Sequence, residues 1–153
     1  MVDLTTLRSV EIARGGSRGE GVVATSDGRV LLGQSHQVDV ISPIVAPQVI
    51  ATNPPDMAVV LLPLSELTVT FDQDMFAGPA SDSGSVLNPL NYQVVRQNGG
   101  LATITGVSYD APARTVTLAV SDLEADLYDL RVLGSVRGSA GMALGSAFIS
   151  SFV

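Results

Sequence analysis

Leu67-Thr68-Val69-Thr70-Phe71 puts an apolar side chain at every second position and a threonine between each pair. Thr115-Val116-Thr117-Leu118-Ala119-Val120 repeats the pattern. Successive side chains of a strand point to opposite faces, so this alternation predicts strands with one buried and one wetted face. The last two thirds of the chain predicts seven of them, at residues 48–52, 67–71, 92–97, 102–109, 115–120, 127–133 and 147–153, with Gly, Pro, Asn and Asp turns between. Four inward faces follow: Leu67, Val69 and Phe71; Val116, Leu118 and Val120; Tyr128, Leu130 and Val132; and Phe148 with Phe152. The alternation slips at Gly106, where Ile104 is out of phase with Val107 and Tyr109. A glycine at such a slip predicts a β-bulge. Residues 72–90 have no strand period and are long for a hairpin loop, which leaves room for a short helical turn.

Residues 1–46 read as a meander of four short strands, at 7–13, 21–24, 29–33 and 37–41. Gly15-Gly16 and Asp27-Gly28 are the turn signals, the second being the stronger because glycine adopts positive φ without steric cost. Pro43, Pro47 and Pro54-Pro55 bracket a joint. Proline fixes its own φ and restricts the residue before it, so the joint should be extended and stiff. The predicted fold class is all-β: a sandwich of about seven strands over 47–153, preceded by a four-stranded meander over 1–46.

Composition sharpens this picture. Hydrophobic residues make up 46% of the chain but aromatics only 5%, with no Trp, so Val, Leu, Ile and Ala must fill the core. The net charge is −7, and residues 1–46 hold five acids and four Arg while 47–153 hold ten acids and four Arg. The shift in charge coincides with the proline joint and supports a boundary there. Nucleic acid is not an expected partner, because phosphate binding needs clustered cations. All eight basic residues are Arg, which removes lysine Schiff-base chemistry and Lys–Asn isopeptide crosslinks. The absence of Cys removes disulfides, thiolate metal sites and thiol nucleophiles. No apolar run reaches the length of a membrane span, so membrane insertion is not expected, and no basic segment followed by an apolar run opens the chain. A role outside the cell would then make this chain a piece of a longer secreted protein.

Candidate chemistry is sparse. His36, the single histidine, has Ser35 and Asp39 nearby in sequence, but adjacent residues of a strand face opposite ways, and a solvated turn histidine is the reading adopted. Asp72 and Asp74 would share a strand face if the strand ran on, but two carboxylates hydrolyse glycosides only across a sugar cleft, and aromatic platforms are nearly absent. Asp56, Asp72, Asp74 and Asp82 form the one set of hard oxygen ligands to weigh for a structural Ca²⁺, but no Asp-x-Asp-x-Asp-Gly loop exists. Arg137-Gly138-Ser139 reads as a turn, and Met75 and Met142 read as core plugs. No residue is assigned as catalytic, cofactor-binding or metal-ligating, no cofactor is expected, and the chain is not read as an enzyme.

Two resemblances add to this reading. Gly19-Glu20-Gly21-Val22-Val23-Ala24, Asp27-Gly28-Arg29-Val30-Leu31-Leu32 and Val38-Asp39-Val40-Ile41-Ser42-Pro43 together resemble one blade of a bacterial β-propeller. A propeller needs about 4–8 blades to close, so a lone blade implies either a fragment of a longer propeller or a cap on the second domain. The second is broader. Pro47-Gln48-Val49-Ile50 through Asn53-Pro54-Pro55, then Leu67 to Phe71 with Asp72-Gln73-Asp74-Met75, resemble a bacterial Ig-like domain of S-layer and large secreted surface proteins. The likeness continues through Asn88-Pro89-Leu90-Asn91-Tyr92, the hairpin of Val107-Ser108-Tyr109-Asp110 with Arg114-Thr115-Val116-Thr117-Leu118, Leu127-Tyr128-Asp129-Leu130-Arg131-Val132, Gly138-Ser139-Ala140-Gly141-Met142-Ala143-Leu144, and Phe148 with Phe152. Asp74 departs from the Glu or small residue many relatives carry there.

The resemblance implies an Ig-like β-sandwich used as a stalk, spacer or linker, in tandem with other modules of the same polypeptide, outside the cell or on the bacterial surface. The expected role is a non-catalytic structural module. The alternative is a binding or adhesion module that contacts a glycan or protein partner through the 72–90 loop, since long loops on a rigid frame often carry function. Self-association through the open edges of the N-terminal meander is a further expected contact.

Overall fold

The computed structural model describes residues 19–26 and 28–153, and the chain divides into two compact units between Pro43 and Ile44. In the first unit, β1 (Gly19–Ala24), β2 (Val30–Gln34) and β3 (Val38–Ile41) form an antiparallel three-stranded sheet in chain order. The β1–β2 turn has Gly28 at φ +81°, the backbone state that the Asp-Gly signal anticipates. The strand expected at 7–13 lies outside the described residues. Pairing puts Val23, Leu31 and Val40 on one face of this sheet, and Val22 with Leu32 and Ala24 with Val30 and Ile41 on the other.

The second unit has seven strands: β4 (Val49–Asn53), β5 (Glu66–Phe71), β6 (Tyr92–Arg96), β7 (Thr103–Asp110), β8 (Thr115–Ser121), β9 (Tyr128–Val132) and β10 (Phe148–Phe152). They form two antiparallel sheets, ordered β4-β5-β8-β7 and β10-β9-β6. The sheets face each other over a core whose members come from alternate positions, as the binary pattern demands. Leu67, Val69 and Phe71 on β5, Val116, Leu118 and Val120 on β8, Val94 on β6, Tyr128, Leu130 and Val132 on β9, and Phe152 on β10 are all buried. Phe148 is half-buried against the same core. The intervening threonines pair on the outer face, with Thr70 Oγ1 2.9 Å from Thr115 Oγ1. The bulge expected at Gly106 is present as a register shift between Ile104 and Gly106 opposite Val120 and Ala119.

Two connections depart from the sequence reading. After β4 the chain crosses to the other sheet and runs beside the end of β10, pairing in parallel through Ala58 and Phe152. Met57 N donates to Ser151 O at 2.7 Å, Val153 N to Ala58 O at 2.9 Å and Val60 N to Val153 O at 2.7 Å. The pattern missed this segment because Met57-Ala58-Val59-Val60-Leu61-Leu62 is a continuous apolar run without alternation. Met142, read as a core plug, is instead 44% exposed. It sits on the turn that brings Gly138 N to Met142 O at 2.9 Å, so its backbone is held and its side chain is released. Met75 is buried as expected.

Candidate functional site

Strand register fixes two ends of the sandwich. β4 starts at Val49 opposite Phe71, the last residue of β5, and Thr70 faces Thr115 at the start of β8. In the other sheet Tyr92, Val132 and Phe148 are aligned, so β6 and β10 start at one end and β9 finishes there. Met75 N donates to Tyr109 Oη at 3.0 Å, and Ser135 Oγ lies 2.8 Å from Asn91 Oδ1. These contacts tie together the connections at this proximal end. At the distal end Thr52 Oγ1 lies 3.1 Å from Ser150 Oγ, and Ala58 pairs with Phe152. With an odd number of strands, the backbone comes into the sandwich proximally and leaves it distally.

The proximal end is closed by the segment between β5 and β6, a turn-rich loop that ends in a one-turn 3-10 helix, Pro89–Asn91. Part of it turns inward, while positions including Ala80, Ser81 and Leu90 stay exposed. Ser85, Val86, Asn88 and Asn91 are buried. Asn91 Nδ2 donates to Ser83 O at 2.9 Å and Ser85 O at 2.8 Å, Ser85 Oγ donates to Gly78 O at 2.8 Å, and Asn88 Nδ2 donates to Asp82 O at 3.1 Å. Tyr92 Oη donates to Val86 O at 2.8 Å. Burial, and secondarily the neighbouring Tyr109, push the Tyr92 hydroxyl far above its ordinary range, so it stays a donor. Arg137 Nη2 donates to both Asp82 oxygens at 3.0 and 2.9 Å while its guanidinium lies 4.4 Å from the Phe76 ring centroid. Met75, Ser85, Val86 and Asn88 of this segment thus close the proximal end, and its remaining residues face outward or lie half-buried.

The weighed carboxylates go to separate partners. β5 stops at Phe71, so Asp72 and Asp74 do not share a strand face. Asp72 Oδ1 accepts from Gln48 N at 2.9 Å, Asp74 Oδ1 from Arg114 Nε at 3.1 Å, and Asp56 Oδ1 from Ser151 N at 2.9 Å. Asp82 holds Arg137. Among the described residues no three His, Cys, Asp or Glu side chains gather as metal ligands. His36 is exposed in the bend between β2 and β3, and Asp39 accepts from Gln34 and from Gln37 Nε2. Gly138 bridges to Met75 and Arg137 to Ala143, outside the strands, and the turn itself falls at Ser139 to Gly141, where Gly141 has φ +92°.

The distal end carries what the sequence reading did not single out, a cavity of about 360 Å³. Aliphatic residues including Val59, Leu62, Leu123 and Leu127 line it, together with the buried Tyr128 and Phe152. Those two rings stack at 5.4 Å between centroids and 16° between planes. Tyr128 Oη is satisfied by Glu124, accepting from its N at 2.8 Å and donating to its O at 3.0 Å.

Seven strands in two sheets, a bulged β7 and a sheet switch after β4 set the terms for comparison. Residues 44–153 match the sequence profile described as the bacterial Ig-like domain. The chain belongs to this family. The bacterial Ig-like domain is similar in fold to the N-terminal part of the bacterial S-layer protein SbsC, with TM-score 0.51 and 15% identity over 71% of this chain and 23% of that one. A longer SbsC structure gives TM-score 0.51 and 16% identity over 71% of this chain and 14% of that one. CopC from Methylosinus trichosporium OB3b overlays with TM-score 0.47 and 17% identity, over 69% of this chain and 90% of that one. The chain thus spans under a quarter of the S-layer chains it resembles. No curated protein matches its sequence. Among the described residues no helix is long and apolar enough to cross a membrane.

Proposed function

We propose that this bacterial Ig-like domain is a non-catalytic spacer of a large bacterial extracellular or cell-surface protein. The observation that carries the reading is the separation of the two ends: β4 begins proximally and β10 finishes distally, one strand length apart, or about 20 Å. A module so wired adds a fixed increment to whatever precedes and follows it. The inward-facing polar groups of the 72–90 loop favour a spacer over an adhesive module, since Ser85, Asn88 and Asn91 are spent on the loop's own carbonyls. The family's use as a non-catalytic domain and the fold likeness to S-layer proteins support the same reading and the location. Aliphatic residues on both faces of the β1–β3 sheet support the blade reading of residues 1–46, because a blade is packed from both sides.

The chain has no cysteine, so dyes on Ala46→Cys and Val153→Cys report the span without interference. The spacer requires one narrow distance that glycans leave unchanged. A broad or short distance ends it. Glycan-array binding that shifts the resonances of residues 72–90 would replace it with the adhesion reading.

A further inference from the structure

Asn98 stands in the turn that follows β6, where Val95 pairs with Leu101, and two glycines come after it. Gly99 and Gly100 hold φ +95° and +94°, and a β-carbon on either would meet nothing within 4 Å. Residues 97–100 are all exposed, so water reaches the junction of Asn98 with Gly99. The other three asparagines differ in ways that matter chemically. Asn53 and Asn88 precede prolines, whose nitrogens carry no proton, and Asn91 is buried with its amide bonded to Ser83 O and Ser85 O.

The Asn98 side chain is also a tie. Its Nδ2 donates to Asp126 Oδ1 at 3.1 Å, beside the bonds from Gln97 N to Leu127 O at 2.9 Å and from Arg96 Nη1 to Glu124 Oε2 at 3.4 Å. These three hold the turn against residues 122–127, whose Leu123 and Leu127 wall the distal cavity. A carboxylate at position 98 would have no proton to give Asp126 and would face it as a like charge.

We propose that Asn98 is a site of spontaneous deamidation and that its conversion loosens residues 122–127. Hydroxide takes the Gly99 amide proton, the Gly99 nitrogen attacks Asn98 Cγ, and the new C–N bond closes a five-membered succinimide. The Cγ–Nδ2 bond breaks, and the amide nitrogen takes a proton from water and leaves as ammonia. A second water opens the ring, at Cγ to give aspartate or at the backbone carbonyl to give isoaspartate. Nothing is oxidised or reduced. Gly99 N donates to Arg96 O at 3.1 Å in the folded turn, so attack waits for that bond to open. The opening is local, because residues 97–100 take no part in the core.

Ageing the full chain in mildly alkaline buffer, with peptide mapping by mass spectrometry, tests this. The mass gain should fall on Asn98 alone, as a mixture of aspartate and isoaspartate. Asn98→Gln, which would have to close a larger ring, should lose it. Amide exchange at residues 122–127 should quicken about fivefold in the aged chain and in Asn98→Asp, and less so in high salt, which screens the new repulsion. An Asn98 that stays intact in the folded chain while the urea-unfolded chain converts overturns the proposal. So does conversion at Asn53, Asn88 or Asn91 ahead of it, or exchange at 122–127 that Asn98→Asp leaves untouched. None of these outcomes alters the distance between the two ends, so the spacer reading stands or falls separately.

Discussion

Asn91 shows how one side chain closes the proximal end. Its buried amide supplies the carbonyls of Ser83 and Ser85 and its oxygen accepts from Ser135, the bond to Ser85 lying in the interior and the other two nearer the surface. Asn91→Ala leaves the Ser85 carbonyl unpaired away from water and should cost about 1–3 kcal/mol, read from denaturant midpoints. Asp82→Ala removes a half-exposed ion pair and a turn contact to Gly84 N, and should cost only about 1 kcal/mol. Asp129 bears on pH. Hydrogen bonds from Arg131 and then Ser151 hold its carboxyl below the usual carboxylate range. A depressed folded-state value means the stabilisation is complete above the unfolded value of about 3.9 and is lost as pH falls through the folded one. Asp129→Asn should therefore flatten the acid limb of the stability curve below about pH 4. Neither role was legible in the sequence. A polar residue's burial is decided by partners far along the chain, and the same blindness made Met142 look equivalent to Met75.

At the scale of elements, legibility was high where the period was clean. The inward residues predicted for β5, β8 and β9 are the buried ones, because alternation is enforced by the pleat and needs no knowledge of the neighbours. Leu118→Ala should cost about 2–5 kcal/mol, with a correspondingly lower unfolding midpoint, since Leu118 is central to β8 and fully buried. Connections were less legible. The parallel pairing of residues 57–60 with β10 has no periodic signature, and the 72–90 segment is built from turns and side-chain hydrogen bonds. A β-carbon on Gly134 would lie 2.2 Å from Gly145 O, a backbone atom within a connection that itself bonds Gly145 N to Gly134 O at 3.0 Å. Gly134→Ala should thus destabilise by about 1–3 kcal/mol, and amide exchange between residues 133 and 147 should accelerate.

For the whole molecule, the buried residues in the core belong to the second unit, from Leu67 to Phe152. Residues 44–153 expressed alone should keep the full chain's main melting transition, which calorimetry would establish. The distal cavity escaped the sequence reading because its walls come from three separated stretches of chain, at residues 59–62, 123–128 and 152–153, with no local pattern to join them.

The odd strand count also bears on mechanics. Tension applied between the start of β4 and the end of β10 runs along both strands rather than peeling either from an end. The bonds from Met57 to Ser151, Val153 to Ala58 and Val60 to Val153 lie side by side across that line of force. They are loaded in shear and must break together, so rupture is governed by a single concerted barrier instead of sequential unzipping.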